Sequence, residues 1–258
     1  MAEDFDSAFI LELSELSFGR FFRDLPIKYF DATLDGVEKI PSARAGAEGE
    51  RPKSGVLLVG NHAMFGLDGY VLGSLVMRET KRVPRFLAER NLWKIPGLGP
   101  AITSVGALPG EPKRAIELLE QGELVIVYPG GVDDSFKTSE ERYRLKWGAR
   151  AGFARVAMRA RVPIVPVLGE GIDEMYAIKS REKNIGRWLF GSDRYDLPFA
   201  RGLFGTFLPR RVKLAFHLLD AIDTSGDPDR PEDLERVRAA TYEALESRLR
   251  LLRERTKT

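Results

Sequence analysis

Three short runs without polar alternation constrain this chain more than anything else in it: Val56–Val59, Leu124–Tyr128 and Pro163–Leu168. A strand that is apolar on both faces must be covered on both, as in parallel sheets sandwiched by helices. The sequence between them supplies such cover. Helical patterns run from about Leu67 to Arg78, from Pro112 to Gln121 (Ile116 and Leu119 on one face, Gly122 as a stop) and from Trp147 to Arg161. Arg85–Ala88 and Val105–Leu108 are weaker strand patterns, and Val212–Leu218 alternates only loosely. A long amphipathic helix is expected from Pro231 to about Arg255. Leu234, Val237, Leu245 and Leu252 lie on its apolar side, and Pro231 and Glu232 suit its first turn. Strand and helix in alternation predict an α/β fold: a single domain with a mixed, largely parallel central sheet flanked by helices, plus an N-terminal amphipathic helix and the long C-terminal one.

Phe5, Phe9, Leu13 and Leu16 recur at helical spacing across residues 5–22; the plain reading is a helix packed on its own core, and the alternative is an interfacial helix, against which stand Glu3, Asp4, Asp6, Glu12 and Glu15, which anionic lipids would repel. A Gly/Ala-rich polar connector follows at 41–54, so residues 1–50 are expected to form a helical segment with its connector and 51–258 the main domain. The acidic start, Met-Ala-Glu-Asp, is the opposite of a secretory leader, and none is expected. No run of about 20 apolar residues offers a spanning helix.

Cysteine is absent, which removes disulfides, thiol nucleophiles and thiolate metal sites. The two histidines, His62 and His217, are too few and too far apart for a His-rich zinc site. Residues 1–50 hold 5 basic and 11 acidic side chains, whereas Lys179–Lys213 holds 9 basic and 3 acidic. That second stretch also carries Trp188, Phe190, Tyr195, Phe199, Phe204 and Phe207. The mixture suits an anionic, half-apolar partner such as a lipid surface, with a flap over an apolar pocket as the alternative. It lacks any nucleic-acid recognition pattern, and no nucleic-acid partner is expected. No P-loop or complete dinucleotide fingerprint occurs.

The richest segment for chemistry is Gly60-Asn61-His62-Ala63-Met64-Phe65-Gly66-Leu67-Asp68-Gly69. It follows a buried strand and precedes a helix, at the sheet edge where α/β proteins bind ligands. His62 is placed for acid–base work. On a continuous helix His62 and Asp68 would point about 120° apart. They meet only if the chain turns between them, for which Gly66 supplies a hinge. They would then serve as base and orienting carboxylate. Gly130 and Gly131, directly after a strand, leave backbone N–H groups open to a developing oxyanion. Glu170 ends another strand and can anchor an acceptor. Lys113 and Arg114 open a helix and are candidates for phosphate contacts. His217, inside a strand pattern, reads as structural.

Asn61-His62 followed by Asp68 resembles the first block of the glycerolipid and lysophospholipid (PlsC-like) acyltransferase superfamily, in which His and Asp form the catalytic pair. Further blocks follow in order: Phe86-Leu87-Ala88-Glu89-Arg90 through Ile95-Pro96-Gly97-Leu98-Gly99, then Val127-Tyr128-Pro129-Gly130-Gly131, then Val162-Pro163-Ile164-Val165-Pro166-Val167. The resemblance covers about residues 50–225 and makes 51–258 an expected acyltransferase domain. This chain departs from the common pattern. Five residues, not four, separate His62 from Asp68. Pro129 leads into Gly130-Gly131-Val132-Asp133-Asp134 where Glu-Gly-Thr-Arg is usual, and the Arg that often closes the second block is absent. Arg matches phosphate oxygens with its planar fork, so its loss argues against a lysophosphatidate acceptor. From Tyr128 through Tyr143-Arg144-Leu145, Gly152-Phe153-Ala154-Arg155 and Gly169-Glu170 the chain is similar to the diacylglycerol acyltransferase-like and phytyl ester synthase-like branch, which esterifies neutral lipid alcohols.

The resemblance implies transfer of a fatty acyl group from an acyl-CoA or acyl-carrier thioester to a lipid hydroxyl. His62 and Asp68 are the catalytic pair, and Asn61, Gly130, Gly131, Glu170 and Arg155 the expected oxyanion or substrate-binding residues. No metal and no cofactor is expected, acyl-CoA being a co-substrate, and the protein is expected at the cytoplasmic, inner face of a membrane as a peripheral protein. A thioester hydrolase using the same site and a non-catalytic lipid-binding scaffold are the competing readings.

Overall fold

The structure, a computed structural model, describes residues 6–41, 54–181 and 198–255. Trp188, Phe190 and Tyr195, nearly all of the connector, and the Phe199 side chain lie outside what is described. In chain order the elements are α1 (Ser7–Glu15), α2 (Ser17–Tyr29), β1 (Thr33–Asp35), β2 (Val56–Gly60), α3 (Leu67–Thr80), β3 (Pro84–Ala88), α4 (Leu98–Thr103), β4 (Ala107–Pro109), α5 (Pro112–Glu120), β5 (Leu124–Val127), α6 (Gly131–Ser135), α7 (Gly152–Ala160), β6 (Ile164–Glu170), β7 (Ala177–Arg181), β8 (Pro198–Arg201), β9 (Ala215–Leu218) and α8 (Pro231–Arg255).

Seven strands form one sheet in the order β1-β9-β6-β2-β5-β3-β4, and β7 pairs with β8 alone. Neighbours from β6 to β4 run parallel, with Leu58 opposite both Ile126 and Val165. At the other edge β9 is antiparallel to β6, and β1 follows it in parallel. The fully buried strand residues Leu57, Leu58, Leu124 and Ile164 each contribute about 1.5–3 kcal/mol by leaving water. Because side chains alternate along a strand, Leu58 and Ile126 enter one core with α2 and α3. Leu57 and Val125 enter the other, with α5, α7 and α8. This is the mixed, largely parallel α/β architecture that the buried runs predict. Within the described part of 1–50, β1 joins the sheet through β9.

Three expectations need correction. The helix expected over 5–22 is two helices, broken at Leu16, whose backbone is extended. Gly19 lets α2 cross the end of α1, where a Cβ would stand 1.9 Å from the Leu13 carbonyl oxygen. Nor does its apolar face enter a core: Ile10 is buried, but Phe9, Leu13, Leu16, Phe18, Phe21 and Phe22 are exposed. The third helix begins at Gly152, not Trp147. Gly148 takes a left-handed turn, and the Trp147 ring is buried between Phe153 and Tyr242.

Candidate active site

Parallel neighbours β2 and β5 send their chains to opposite faces of the sheet, β2 into α3 and β5 towards α7. The crevice between their carboxyl ends is the topological switch point at which such sheets bind ligands. His62 stands two residues beyond the end of β2, and Tyr128 directly beyond the end of β5.

Asn61 fixes the start of the loop. Its amide donates to the Gly169 carbonyl (2.9 Å) and accepts from the Gly169 N–H (2.8 Å), extending the β2–β6 ladder with a side chain. One N–H and one oxygen lone pair of the amide are thereby used in tying the loop to β6, a structural role for Asn61. Phe65 and Gly66 then take left-handed conformations (φ 64° and 69°) before α3 begins. Gly66 does so without steric cost; Phe65 does not, and its ring remains half in solvent against Tyr176. This reversal brings Asp68, in the first turn of α3, back under the imidazole.

His62 Nδ1 and Asp68 Oδ2 are 2.9 Å apart. The His62 side chain is 16% exposed, and that of Asp68 1%. Nδ1–H donating to a carboxylate leaves Nε2 as the lone-pair nitrogen, so the pair is set for Nε2 to take a proton. The N-terminal end of α3 favours the negative charge of Asp68.

Tyr128 completes the arrangement. Its ring lies flat against the imidazole, centroids 4.2 Å apart and planes within 10°. Its hydroxyl is buried, and its pKa is pushed well up, first by burial and then by the neighbouring Asp68 charge. The sequence shows Tyr128 as the last residue of an apolar run and within the third block; nothing in the spacing announces the stack.

Of the two glycines expected to cover an oxyanion, Gly131 donates its N–H to the Tyr128 carbonyl (2.9 Å), closing a turn. Its part in an oxyanion hole is corrected accordingly, and the Gly130 N–H remains. Gly130 packs so close to Asp134 that a Cβ would lie 2.3 Å from the Asp134 Cβ. Asp134 belongs to a buried charge cluster that the sequence analysis did not find. Lys137 Nζ stands 3.4 Å from Asp134 Oδ1 and 3.2 Å from Asp173 Oδ1, with all three side chains nearly inaccessible. Burial raises the Asp134 pKa against the opposing pull of Lys137. The Lys137 charge is disfavoured by burial, but Asp173 and Asp134 outweigh this and raise its pKa. Lys137 and Asp173 of the cluster line a small cleft with Ala63 and Met64 of the His62 loop. Lysine sits three residues from Asp134, a helical offset, but Asp173 joins from another element, which no local spacing reveals.

The remaining expected residues lie elsewhere. Glu170 faces His217 Nε2 at 3.7 Å, while His217 Nδ1 is 3.1 Å from Asp35. Arg155 is exposed on α7 and donates to the Pro228 carbonyl at 3.3 Å, which ties a loop down. Lys113 and Arg114 start α5 beyond the carboxyl end of β4, on the same sheet edge as His62 but three strands away. Among the described residues no group of three or more acidic or histidine side chains is arranged to hold a metal ion.

Residues 32–169 match the family described as Acyltransferase. The chain is 33% identical over 189 residues to the bovine (Bos taurus) protein named DGAT1/2-independent enzyme synthesizing storage lipids, covering 73% of this chain and 51% of that one. The mouse (Mus musculus) protein of the same name is 30% identical over 84% of this chain and 60% of its own. An uncharacterized protein of Mycobacterium tuberculosis is 32% identical over 88% and 61%. The chain thus spans about half to three-fifths of the length of these relatives. In fold it is similar to the crystal structure of the 1-acyl-sn-glycerophosphate acyltransferase PlsC from Thermotoga maritima, at TM-score 0.53 and 18% identity, over 93% of this chain and 87% of that one. The ordered blocks, the sheet and the matched residues lead to one conclusion: the chain belongs to the acyltransferase family.

Proposed function

We propose that this protein moves a fatty acyl group from an acyl thioester, acyl-CoA or an acyl-carrier thioester, to a hydroxyl of a neutral lipid alcohol. The observation that carries the reading is the His62–Asp68 contact at the sheet's switch point. His62 Nε2 takes the proton of the acceptor hydroxyl as its oxygen attacks the thioester carbonyl. Asp68 holds the ring and offsets the imidazolium charge. The tetrahedral oxyanion collapses to the ester, and the thiolate leaves with the proton from His62. General-base help of this kind is worth about 10²–10⁴ in rate, and one oxyanion donor, here the Gly130 N–H, about 10²–10³. The names of the animal relatives support storage lipids as the class of product. The Gly-Gly-Val-Asp-Asp sequence after Pro129 supports a neutral acceptor over a phosphorylated one.

The protein works, on this reading, at the cytoplasmic face of a membrane. Among the described residues no helix is long and apolar enough to cross one. The support is apolar surface near the site mouth. Phe18, Phe21, Phe22 and Leu25 of α2 are exposed, as are Phe65, Phe204, Phe207 and Leu208. Tyr70 of α3 bonds the Phe22 carbonyl, and Tyr176, which touches Phe65 of the His62 loop, bonds the Phe207 carbonyl. Hydrolysis of the thioester by water is the second reading, favoured by the partial exposure of His62.

The test is thiol release from long-chain acyl-CoA, with and without a panel of lipid alcohols, followed by product analysis. Acceptor-dependent release with ester formation is expected. Release that ignores every acceptor and yields free fatty acid would move the assignment to hydrolysis.

A further inference from the structure

We infer that Tyr128 is a positioning residue for the His62–Asp68 pair, its ring stabilising the imidazolium and its hydroxyl standing as a donor to the second Asp68 oxygen. The inference rests on His62 being the base. The stack is close and flat, 4.2 Å between centroids at 10°. The edge of the tyrosine ring lies against two glycines. A Cβ on Gly60 would come within 3.3 Å of Tyr128 Cε1, and one on Gly69 within 3.4 Å of its hydroxyl oxygen. The ring is therefore held at two points of its edge while its face meets the imidazole.

A neutral imidazole gains little from an aromatic face, but an imidazolium gains a cation–π contact. The positive ring exists only once the proton has moved, so the stabilisation is selective for the transition state. The hydroxyl acts at the other end. Asp68 gives Oδ2 to His62, and its buried Oδ1 closes no hydrogen bond of ordinary geometry among the described residues. The Tyr128 hydroxyl is near enough to feel the carboxylate charge and is likewise without a closed bond. Its raised pKa keeps the proton on, so towards Asp68 it can only donate. Ring and hydroxyl thus oppose each other: the ring favours His62 protonation, and donation to Asp68 drains charge from the carboxylate and disfavours it. The other ionisable groups around His62 are Asp134 on α6, whose charge reaches it, and behind Asp134 the Lys137–Asp173 part of the buried cluster.

With two histidines in the chain, imidazole NMR follows His62 directly while His217 serves as an internal reference. Compared with Tyr128→Phe, which keeps the ring and loses only the hydroxyl, Tyr128→Leu should bring the His62 titration midpoint down by about 0.4–1.5 pH units, with turnover about three- to thirtyfold lower at little change in KM. The His62 ring protons should also lose the upfield shift that the stacked ring imposes. In Tyr128→Phe the midpoint should rise above that of the wild type. Should Tyr128→Leu fail to fold, Tyr128→Met, an unbranched filler of the same slot, takes its place. A His62 midpoint in the ring-less variant equal to that in Tyr128→Phe, with the ring-proton shift unmoved, would overturn the inference. An unmoved midpoint in Tyr128→Phe would overturn the part given to the hydroxyl. His62→Ala separates the two levels: lost turnover there with unmoved Tyr128 titrations defeats only this inference, and retained turnover defeats the base assignment and this inference with it.

Discussion

The chain sets two histidines beside aspartates at nearly the same distance, His62–Asp68 at 2.9 Å and His217–Asp35 at 3.1 Å. The distance is where the likeness ends. Asp68 is 1% exposed and Asp35 68%. An ion pair in water is worth about 0–1 kcal/mol, because solvent screens the charge and the side chains lose freedom. Removed from water, the same pair interacts several times more strongly. His62 also stands in a loop at the carboxyl edge of the sheet with an aromatic floor, whereas His217 is held within β9 between β1 and β6. A histidine and a carboxylate in contact do not make a site; desolvation on one side, access on the other and a fixed ring orientation do.

Removing the carboxylate's charge is the hardest test of that contrast. Asp68→Asn is expected to lower turnover by about 10²–10⁴, the range lost when a base loses its orienting partner, while Asp35→Asn should stay within about twofold. Steady-state rates on one acceptor decide it, and equal losses would erase the distinction between the pairs.

The same contrast holds for lysine–carboxylate pairs. Lys137 is buried between Asp134 and Asp173, and Lys39 meets the nearly fully exposed Asp220 at 3.0 Å. Lys137→Met leaves buried carboxylates without a cation and should cost about 3–5 kcal/mol in urea unfolding. For Lys39→Met the cost should be about 1 kcal/mol or less. A cost as small for Lys137 would mean that water reaches the cluster.

A smaller effect is expected at the surface proposed to meet lipid. Each basic side chain near an anionic surface contributes about 1 kcal/mol, so Arg211→Glu should weaken binding to anionic vesicles about five- to thirtyfold. Phe18→Ser should weaken it through lost apolar contact, with thermal stability changed by about 0.5 kcal/mol or less because the ring is already 76% exposed. Vesicle flotation reads both. Unchanged binding in both variants would leave the rim around the site without a membrane role.

How much of this was legible before the structure follows from where the constraints lie. β2, β5 and β6 are continuous apolar runs because helices cover both faces, and a run of that kind is visible locally. The core-facing alternation of α5 and α8 is visible for the same reason. β1 is three residues with an exposed pattern, and its partner β9 lies about 180 residues downstream, so nothing local marks it. The site divides in the same way. His62, Gly66 and Asp68 fall in one short segment, and their type and order mark them out. The stacking of Tyr128, the tie from Asn61 to Gly169 and the meeting of Lys137 with Asp173 depend on strands and loops that only the fold brings together. The apolar face of α1 and α2 misled because periodicity reports that a face is apolar, not what covers it.

The most direct test places His62→Ala and His217→Ala side by side in the acyl-CoA assay, with ester and free fatty acid measured separately. Ester formation should fall by at least about a hundredfold in His62→Ala and remain within about twofold of wild type in His217→Ala, both proteins staying folded. Wild-type ester formation by folded His62→Ala would contradict the account at its centre.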